Sequence, residues 1–157
     1  MSLKSGDKAP VFELLDQDNN IVKSADFAGK WLIIYFYPKD NTSGCTIQAK
    51  DFTCLQEEYG KLGVQIIGIS KDSVQSHQKF IIKQELSLRL LSDPELNVIK
   101  AYKVWREKKL YGKSFLGVIR STFLIDPEGN INHAWYNVKA KGHAERVLAQ
   151  VEKIIAE

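Results

Sequence analysis

The longest apolar run in the chain reads Trp31-Leu32-Ile33-Ile34-Tyr35-Phe36-Tyr37, and Pro38 ends it. A short continuous run of aromatic and β-branched residues is typical of a strand that is buried on both faces of a parallel sheet. A second run, Val64 to Ser70, predicts another buried strand. The segment between them repeats apolar residues at helical spacing, namely Phe52, Leu55, Tyr59 and Leu62. Together they predict a strand–helix–strand unit with the right-handed crossover that parallel strands require.

The sequence also predicts a β-hairpin on each side of this unit. Residues 11–15 and 21–23 form the first hairpin, and residues 122–125 and 131–136 form the second, each around a turn rich in Asp and Asn. The clearest helix comes last, with one apolar stripe made by Ala144, Val147, Leu148, Val151, Ile154 and Ile155.

The segment between the second buried strand and the second hairpin is less regular. Asp72 or Ser73 can cap a helix, and residues 88–91 predict a short strand. Asp93 followed by Pro94 predicts a short helix that starts with proline in its first turn. Residues 105–118 predict a structured loop with glycine turns. The whole order predicts an α/β, thioredoxin-like fold: a central mixed sheet flanked by helices, with an N-terminal β-hairpin, in a single domain spanning residues 1–157.

Composition narrows the classes of function. The chain has 157 residues, of which 44% are hydrophobic and 26% charged, as in an ordinary globular protein. Its net charge of +3 is too mild to indicate a nucleic-acid binder. No apolar run approaches the roughly 20 residues that span a bilayer, and the start of the chain has no secretory signal. We therefore expect a cytoplasmic protein with no nucleic-acid or membrane partner.

The two cysteines, Cys45 and Cys54, are too few for a disulfide framework or a four-cysteine zinc site. The three histidines, His77, His133 and His143, lack the spacing of metal ligands. We therefore expect neither a metal nor a cofactor.

Cys45 lies in the loop that follows the first buried strand, at the start of the predicted helix. Free N–H groups at a helix start favour a thiolate, which is a nucleophile. Gly44 leaves open space beside the sulfur, and Thr42 supplies a hydroxyl three residues earlier. The alternative is an inert core thiol, because Ala49 and Phe52 follow on the same helical face. Position alone leaves both interpretations open.

The spacing Pro38-x-x-x-Thr42-x-x-Cys45 resembles the active-site motif of the peroxiredoxins. Further stretches resemble the branch of the bacterioferritin comigratory proteins, or peroxiredoxins Q, and they include residues 91–94, 105–109, 111–113, 120–126 and 138–144. The resemblance extends from about Gly6 to Ile155.

The resemblance implies a thiol-dependent peroxidase that reduces hydrogen peroxide and organic hydroperoxides. Cys45 would be the peroxidatic cysteine, whose thiolate becomes a sulfenic acid. Thr42 would orient the peroxide, Pro38 would shield the site, and Arg120 would stabilise the thiolate and the developing charge. Gln48 stands where many peroxiredoxins carry glutamate, and its amide can hydrogen-bond the arginine without adding charge. The expected partners are a hydroperoxide and a thioredoxin, glutaredoxin or small-thiol reductant, and members of this branch are often monomers.

The chain departs from the branch at the resolving cysteine, the second cysteine that attacks the sulfenic acid. Lys50 occupies one family position, and residues 76–84, which hold the other, contain no cysteine; Ser43 replaces a common proline. Cys54 lies nine residues after Cys45, which on a helix is a rise of roughly 13 Å and half a turn out of phase. A disulfide needs Cα atoms within about 7 Å. Three roles stay open for Cys54: spectator, partner between two molecules, or resolving cysteine after helix unwinding. We expect a one-cysteine cycle completed by an external thiol.

Two other classes of protein also use a reactive cysteine. A disulfide oxidoreductase of the thioredoxin kind needs a Cys-x-x-Cys pair, and position 48 is Gln. A redox sensor or holdase chaperone that uses oxidation of Cys45 remains compatible with the sequence.

Overall fold

The structure is a computed structural model that describes residues 2–156. Its strands are β1 (Glu13–Leu15), β2 (Ile21–Lys23), β3 (Trp31–Phe36), β4 (Val64–Ser70), β5 (Arg89–Ser92), β6 (Trp105–Leu110), β7 (Lys113–Val118), β8 (Ser121–Ile125) and β9 (Ile131–Trp135). Its helices are α1 (Ser43–Lys61), α2 (Val74–Gln84), α3 (Asn97–Ala101) and α4 (His143–Ala156), with a 3₁₀ turn at Ser24–Phe27.

Seven strands form one mixed sheet in the order β2-β1-β5-β4-β3-β8-β9. The central strands β3, β4 and β5 are parallel, whereas β8 and β9 on one side and the β1–β2 hairpin on the other are antiparallel. The predicted N-terminal hairpin, mixed sheet and flanking helices are therefore confirmed.

Side chains of β3 point alternately to the two faces of the sheet, and each face has its own core. Ile33 and Tyr35 lie in the core that is covered by α1, α2 and α4. Leu32 and Ile34 lie in the opposite core, with α3 and the 3₁₀ turn. Burial on both faces explains why β3 is apolar without interruption.

Residues 105–118 form a β-hairpin, so the prediction of a loop there was wrong. Strands β6 and β7 pair from Trp105 opposite Val118 to Leu110 opposite Lys113. Tyr111 and Gly112 both have positive φ, at 52° and 76°, which is the backbone of a type I′ turn. Most of the hairpin is exposed or half-buried on both faces, so its sequence lacks the alternation that marks a strand.

The predicted proline start of α3 was also wrong, since the helix begins at Asn97. Residues 93–96 instead form a turn, and Leu96 has a left-handed backbone with φ 68°. Asp93 still has a capping role, because its carboxylate accepts a hydrogen bond from the Ile99 N–H at 2.8 Å. At α2, the cap is Ser73, whose hydroxyl accepts from the Ser76 N–H. Within residues 2–156, no helix is long and apolar enough to cross a membrane.

Candidate active site

Cys45 lies in the first turn of α1, directly beyond the carboxyl end of β3. Thr42 is the N-cap residue, with an extended backbone, and its carbonyl accepts the first helical hydrogen bond from the Thr46 N–H at 2.8 Å. The Cys45 side chain is buried, with 1% of the residue exposed. The unpaired N–H groups of the first turn give this end of the helix a positive potential, which favours an anionic sulfur.

Arg120 reaches Cys45 from the far end of the sequence, at the junction of β7 and β8. Its Nη2 donates a hydrogen bond to Cys45 Sγ at 3.4 Å, and its Nη1 donates to Gln48 Oε1 at 2.6 Å. Gln48 is completely buried one helical turn after Cys45. The planar guanidinium thus bridges the sulfur and the amide with two of its donors.

Gly44 provides the space for this guanidinium. A Cβ at position 44 would lie 3.0 Å from Arg120 Nη2 and 3.7 Å from the Ala140 Cβ. The open space that Gly44 was expected to leave beside the sulfur is therefore occupied by Arg120.

Thr42 and Pro38 lie in the loop that joins β3 to α1. The Thr42 hydroxyl is exposed and donates to the Lys39 carbonyl at 2.9 Å, so its oxygen lone pairs remain available. Pro38 is half-buried and directly follows the buried Tyr37. Both residues thus lie on the loop that leads to the start of α1, where Cys45 meets Arg120.

Two buried polar groups lie in the core next to this helix start. Among residues 2–156, the Tyr35 hydroxyl and the Gln48 Nε2 have no hydrogen-bond partner. The Tyr35 ring stacks on Phe52, with 4.8 Å between ring centroids. Burial raises the pKa of Tyr35, the negative charges of Cys45 and Asp40 raise it further, and Arg120 opposes them. Tyr35 is therefore a neutral phenol; sequence reasoning missed it because it reads as one more apolar strand residue.

Lys108 of β6 is a second cation near the site that sequence reasoning missed. Its Nζ donates to the Val118 carbonyl at 3.1 Å. Burial lowers the pKa of Lys108, the positive charge of Arg120 lowers it further, and the negative charge of Cys45 opposes them. The hairpin that was predicted as a loop thus brings positive charge towards the thiol.

Cys54 is exposed on the same continuous helix, and both cysteines are free. An intact α1 keeps the two sulfurs apart, because nine residues rise roughly 13 Å along a helix. The structure therefore does not bring Cys54 into the site.

The chain resembles one family of known proteins over most of its length. The AhpC/TSA family profile matches residues 5–134. Peroxiredoxin Bcp of Xanthomonas campestris is 50% identical over 125 residues, covering 80% of this chain and 78% of the relative. Peroxiredoxin Bcp of Bacillus subtilis is 44% identical over 148 residues, covering 94% of each chain.

Solved structures agree in fold. One is the bacterioferritin comigratory protein of Xanthomonas campestris, studied for alkyl peroxide reduction in trapped intermediate and ligand complexes. It is 43% identical with a TM-score of 0.87 over 92% of both chains. A cysteine variant of PrxQ from Xylella fastidiosa is 35% identical with a TM-score of 0.94, covering 100% of this chain and 99% of that one. These matches confirm the thioredoxin-like fold. The chain belongs to the AhpC/TSA family, as a thiol-dependent peroxidase of its Bcp, or peroxiredoxin Q, branch.

Proposed function

We propose that Cys45 is the peroxidatic cysteine of a one-cysteine cycle that reduces hydrogen peroxide and organic hydroperoxides. The Cys45 thiolate attacks the terminal oxygen of ROOH, a sulfur–oxygen bond forms and the O–O bond breaks. The leaving alkoxide or hydroxide takes up a proton and departs as alcohol or water, and Cys45 is left as a sulfenic acid. The observation that carries the proposal is the hydrogen bond from Arg120 Nη2 to Cys45 Sγ at a helix start.

Arg120 has the geometry to stabilise this reaction. Negative charge moves from the sulfur to the departing oxygen, and the guanidinium has further donors that can follow it. Gln48 holds Nη1 without adding a negative charge, so the arginine keeps its full positive charge for the reacting atoms. Thr42 then orients the peroxide through its hydroxyl, and Pro38 shields the sulfur from water.

The second half of the cycle needs a thiol from outside the chain. The first external thiol condenses with the sulfenic acid to a mixed disulfide and releases water, and a second thiol exchanges to restore Cys45. Thioredoxin, glutaredoxin and small thiols such as glutathione are the candidate reductants. The supporting observation is that Cys54 is exposed on an unbroken helix. Alkyl hydroperoxides are included because the Xanthomonas relative was studied for their reduction.

Replacing Cys54 with serine tests the one-cysteine cycle. We expect peroxide turnover with a small-thiol reductant to stay within about twofold of the parent chain, since the sulfur–sulfur distance across an intact helix forbids the bond. Steady-state peroxide consumption measures this. Peptide mapping after one equivalent of peroxide gives the control, and a rapid stoichiometric Cys45–Cys54 disulfide would overturn the one-cysteine cycle.

Replacing Gly44 with alanine tests the position of Arg120. The added methyl would lie 3.0 Å from Nη2 and push the guanidinium away from Sγ. We expect the second-order rate constant with hydrogen peroxide to fall about tenfold, because small displacements of a catalytic group are costly. Gly60→Ala is the matched control, since a Cβ there meets open space on the same helix. Equal rates for the two variants would remove Gly44 from this role.

We also propose that the chain acts in the cytoplasm, as a single domain over residues 1–157 and as a monomer. Two free thiols support a reducing compartment. Light scattering on the reduced and oxidised protein tests the oligomeric state, and a mass of twice the chain would contradict the monomer.

A further inference from the structure

A buried hydrogen-bond network joins the active-site loop to α2, and its centre is Asp40. The Asp40 carboxylate accepts from the Tyr37 hydroxyl at 2.6 Å and from the Ser76 hydroxyl at 2.8 Å. Its Oδ2 lies 2.7 Å from His77 Nδ1, and the two side chains are 3% and 0% exposed. The reaction proposed above uses neither Asp40 nor His77.

Hydrogen-bond chemistry defines how the protons in this network are arranged. His77 Nε2 lies 2.9 Å from the Leu91 carbonyl, which can only accept, so Nε2 carries a hydrogen. A further proton lies between Nδ1 and Oδ2, because an imidazole with a bare Nδ1 would face a carboxylate that cannot donate. The pair is therefore neutral as a whole and every polar atom of His77 is satisfied, as a buried pair requires.

The same network holds the backbone of the loop. The Asp40 N–H donates to Asp72 Oδ2 at 2.9 Å, and Asp72 is in turn held by the Ser70 hydroxyl. Asn41 has a left-handed backbone with φ 61°, a conformation that asparagine tolerates better than most residues other than glycine, and its Oδ1 accepts from Gln84 Nε2 at 2.9 Å. The next residue is Thr42, the N-cap of α1. The described contacts that fix residues 40 and 41 thus come from α2, from the residues before it and from Tyr37.

We propose that the Asp40–His77 pair is a positioning device that holds Thr42 and the first turn of α1 in the arrangement that reacts with peroxide. The inference rests on the proposed function of Cys45. Asn41 transmits the position of α2 to Thr42, because it is hydrogen-bonded to Gln84 of α2 and directly precedes Thr42. Without the pair, the loop relaxes, Thr42 leaves its position and the buried Cys45 becomes accessible.

Two conservative replacements of His77 separate its two hydrogen bonds. The amide of His77→Asn replaces Nδ1 and keeps the bond to Asp40, whereas the longer His77→Gln replaces Nε2 and keeps the bond to Leu91. Both variants are made in a Cys54→Ser background, so that Cys45 is the single thiol. We expect His77→Gln to lower the second-order rate constant with hydrogen peroxide about tenfold or more. His77→Asn is expected to keep most of the parent rate.

Alkylation of Cys45 by iodoacetamide gives a second readout with the opposite sign. We expect His77→Gln to speed labelling at least about tenfold, since a loop that is no longer held opens more often, whereas a parent-like rate is expected for His77→Asn. Val22→Ala controls for general loss of stability, because Val22 is buried in β2 in the opposite core. Urea unfolding checks that Val22→Ala and His77→Gln lose similar stability. Val22→Ala is expected to change neither the rate with peroxide nor the rate of alkylation.

Three results would overturn the proposal: parent-like rates in His77→Gln, equal losses in both His77 variants, or an equal loss in Val22→Ala. Alkylation needs no peroxidase activity, so its outcome still tests the positioning device if the parent chain consumes no peroxide. A parent chain that consumes no peroxide would instead contradict the proposed function.

Discussion

Serine in place of Cys45 is expected to lower the rate of peroxide consumption by a factor of about 10⁴ or more, as loss of a nucleophile does in other enzymes. The hydroxyl of serine is not ionised near neutral pH, so the helix start and Arg120 have no anion to stabilise. The side chain of serine has nearly the shape of cysteine, so the packing around position 45, where 1% of the residue is exposed, changes little. Stopped-flow measurement of peroxide loss, with the reduced enzyme in excess, isolates this step from the reductant.

Cys54→Ser is the matched control for this experiment, since it removes the other thiol from the same helix. Residual activity in Cys45→Ser that disappears only when Cys54 is also removed would place the chemistry at Cys54. Slow oxidation of the parent chain would favour the alternative class, a redox sensor or holdase that is modified by peroxide without turning it over.

Removal of the guanidinium by Arg120→Leu is expected to lower the second-order rate constant with peroxide by about 10²–10³-fold, the range for a lost donor to a developing charge. The variant loses the bond to Sγ and leaves the buried Gln48 Oε1 without its partner. Arg120→Lys keeps the charge but not the fork that spans both acceptors, and we expect it to be about tenfold slower than the parent chain. Single-turnover stopped-flow kinetics with reduced protein measures both variants.

Arg89→Leu is a control for the loss of one positive charge. It also breaks the 3.8 Å ion pair between Arg89 and the buried Asp16, so urea unfolding of the variant is measured beside its rate. Arg89 begins β5, which runs parallel to β3, so it lies at the edge of the sheet opposite the carboxyl end of β3. A parent-like rate in Arg89→Leu together with the loss in Arg120→Leu assigns the effect to the contact with Sγ. If Arg120→Leu reacts as fast as the parent chain, the proposed stabilisation is wrong.

The sequence predicted well the segments that are buried on both faces or along one regular face. β3 is apolar throughout and β4 is apolar apart from Gln65 and Ser70, because both strands are buried on both faces, and α4 carries its apolar stripe on one side. Cys45 was also predictable at a helix start, because a strand that ends at Pro38 and an apolar helical repeat after it leave a short connection between them.

The β6–β7 hairpin and the start of α3 were not predictable for the opposite reason. The hairpin buries little, so its residues need not alternate, and its turn uses Tyr111-Gly112 where Asn-Gly is the common signal. At α3, the Asp-Pro signal competes with a turn in which Asp93 reaches forward to Ile99. In both places the chain forms a local turn whose sequence signal is weak.

By itself, the sequence determined the central strand–helix–strand unit, the place of Cys45 and, through resemblance to the peroxiredoxins, the residues expected around it. Only the tertiary structure decided which of these side chains meet. Arg120 contacts Cys45 across 75 residues of chain, His77 contacts Asp40 across 37, and the space for the guanidinium exists because Gly44 has no side chain. The physical reason is separation along the sequence. Periodicity and capping act within a few residues, whereas a site made of distant side chains forms only when the sheet aligns the elements that carry them.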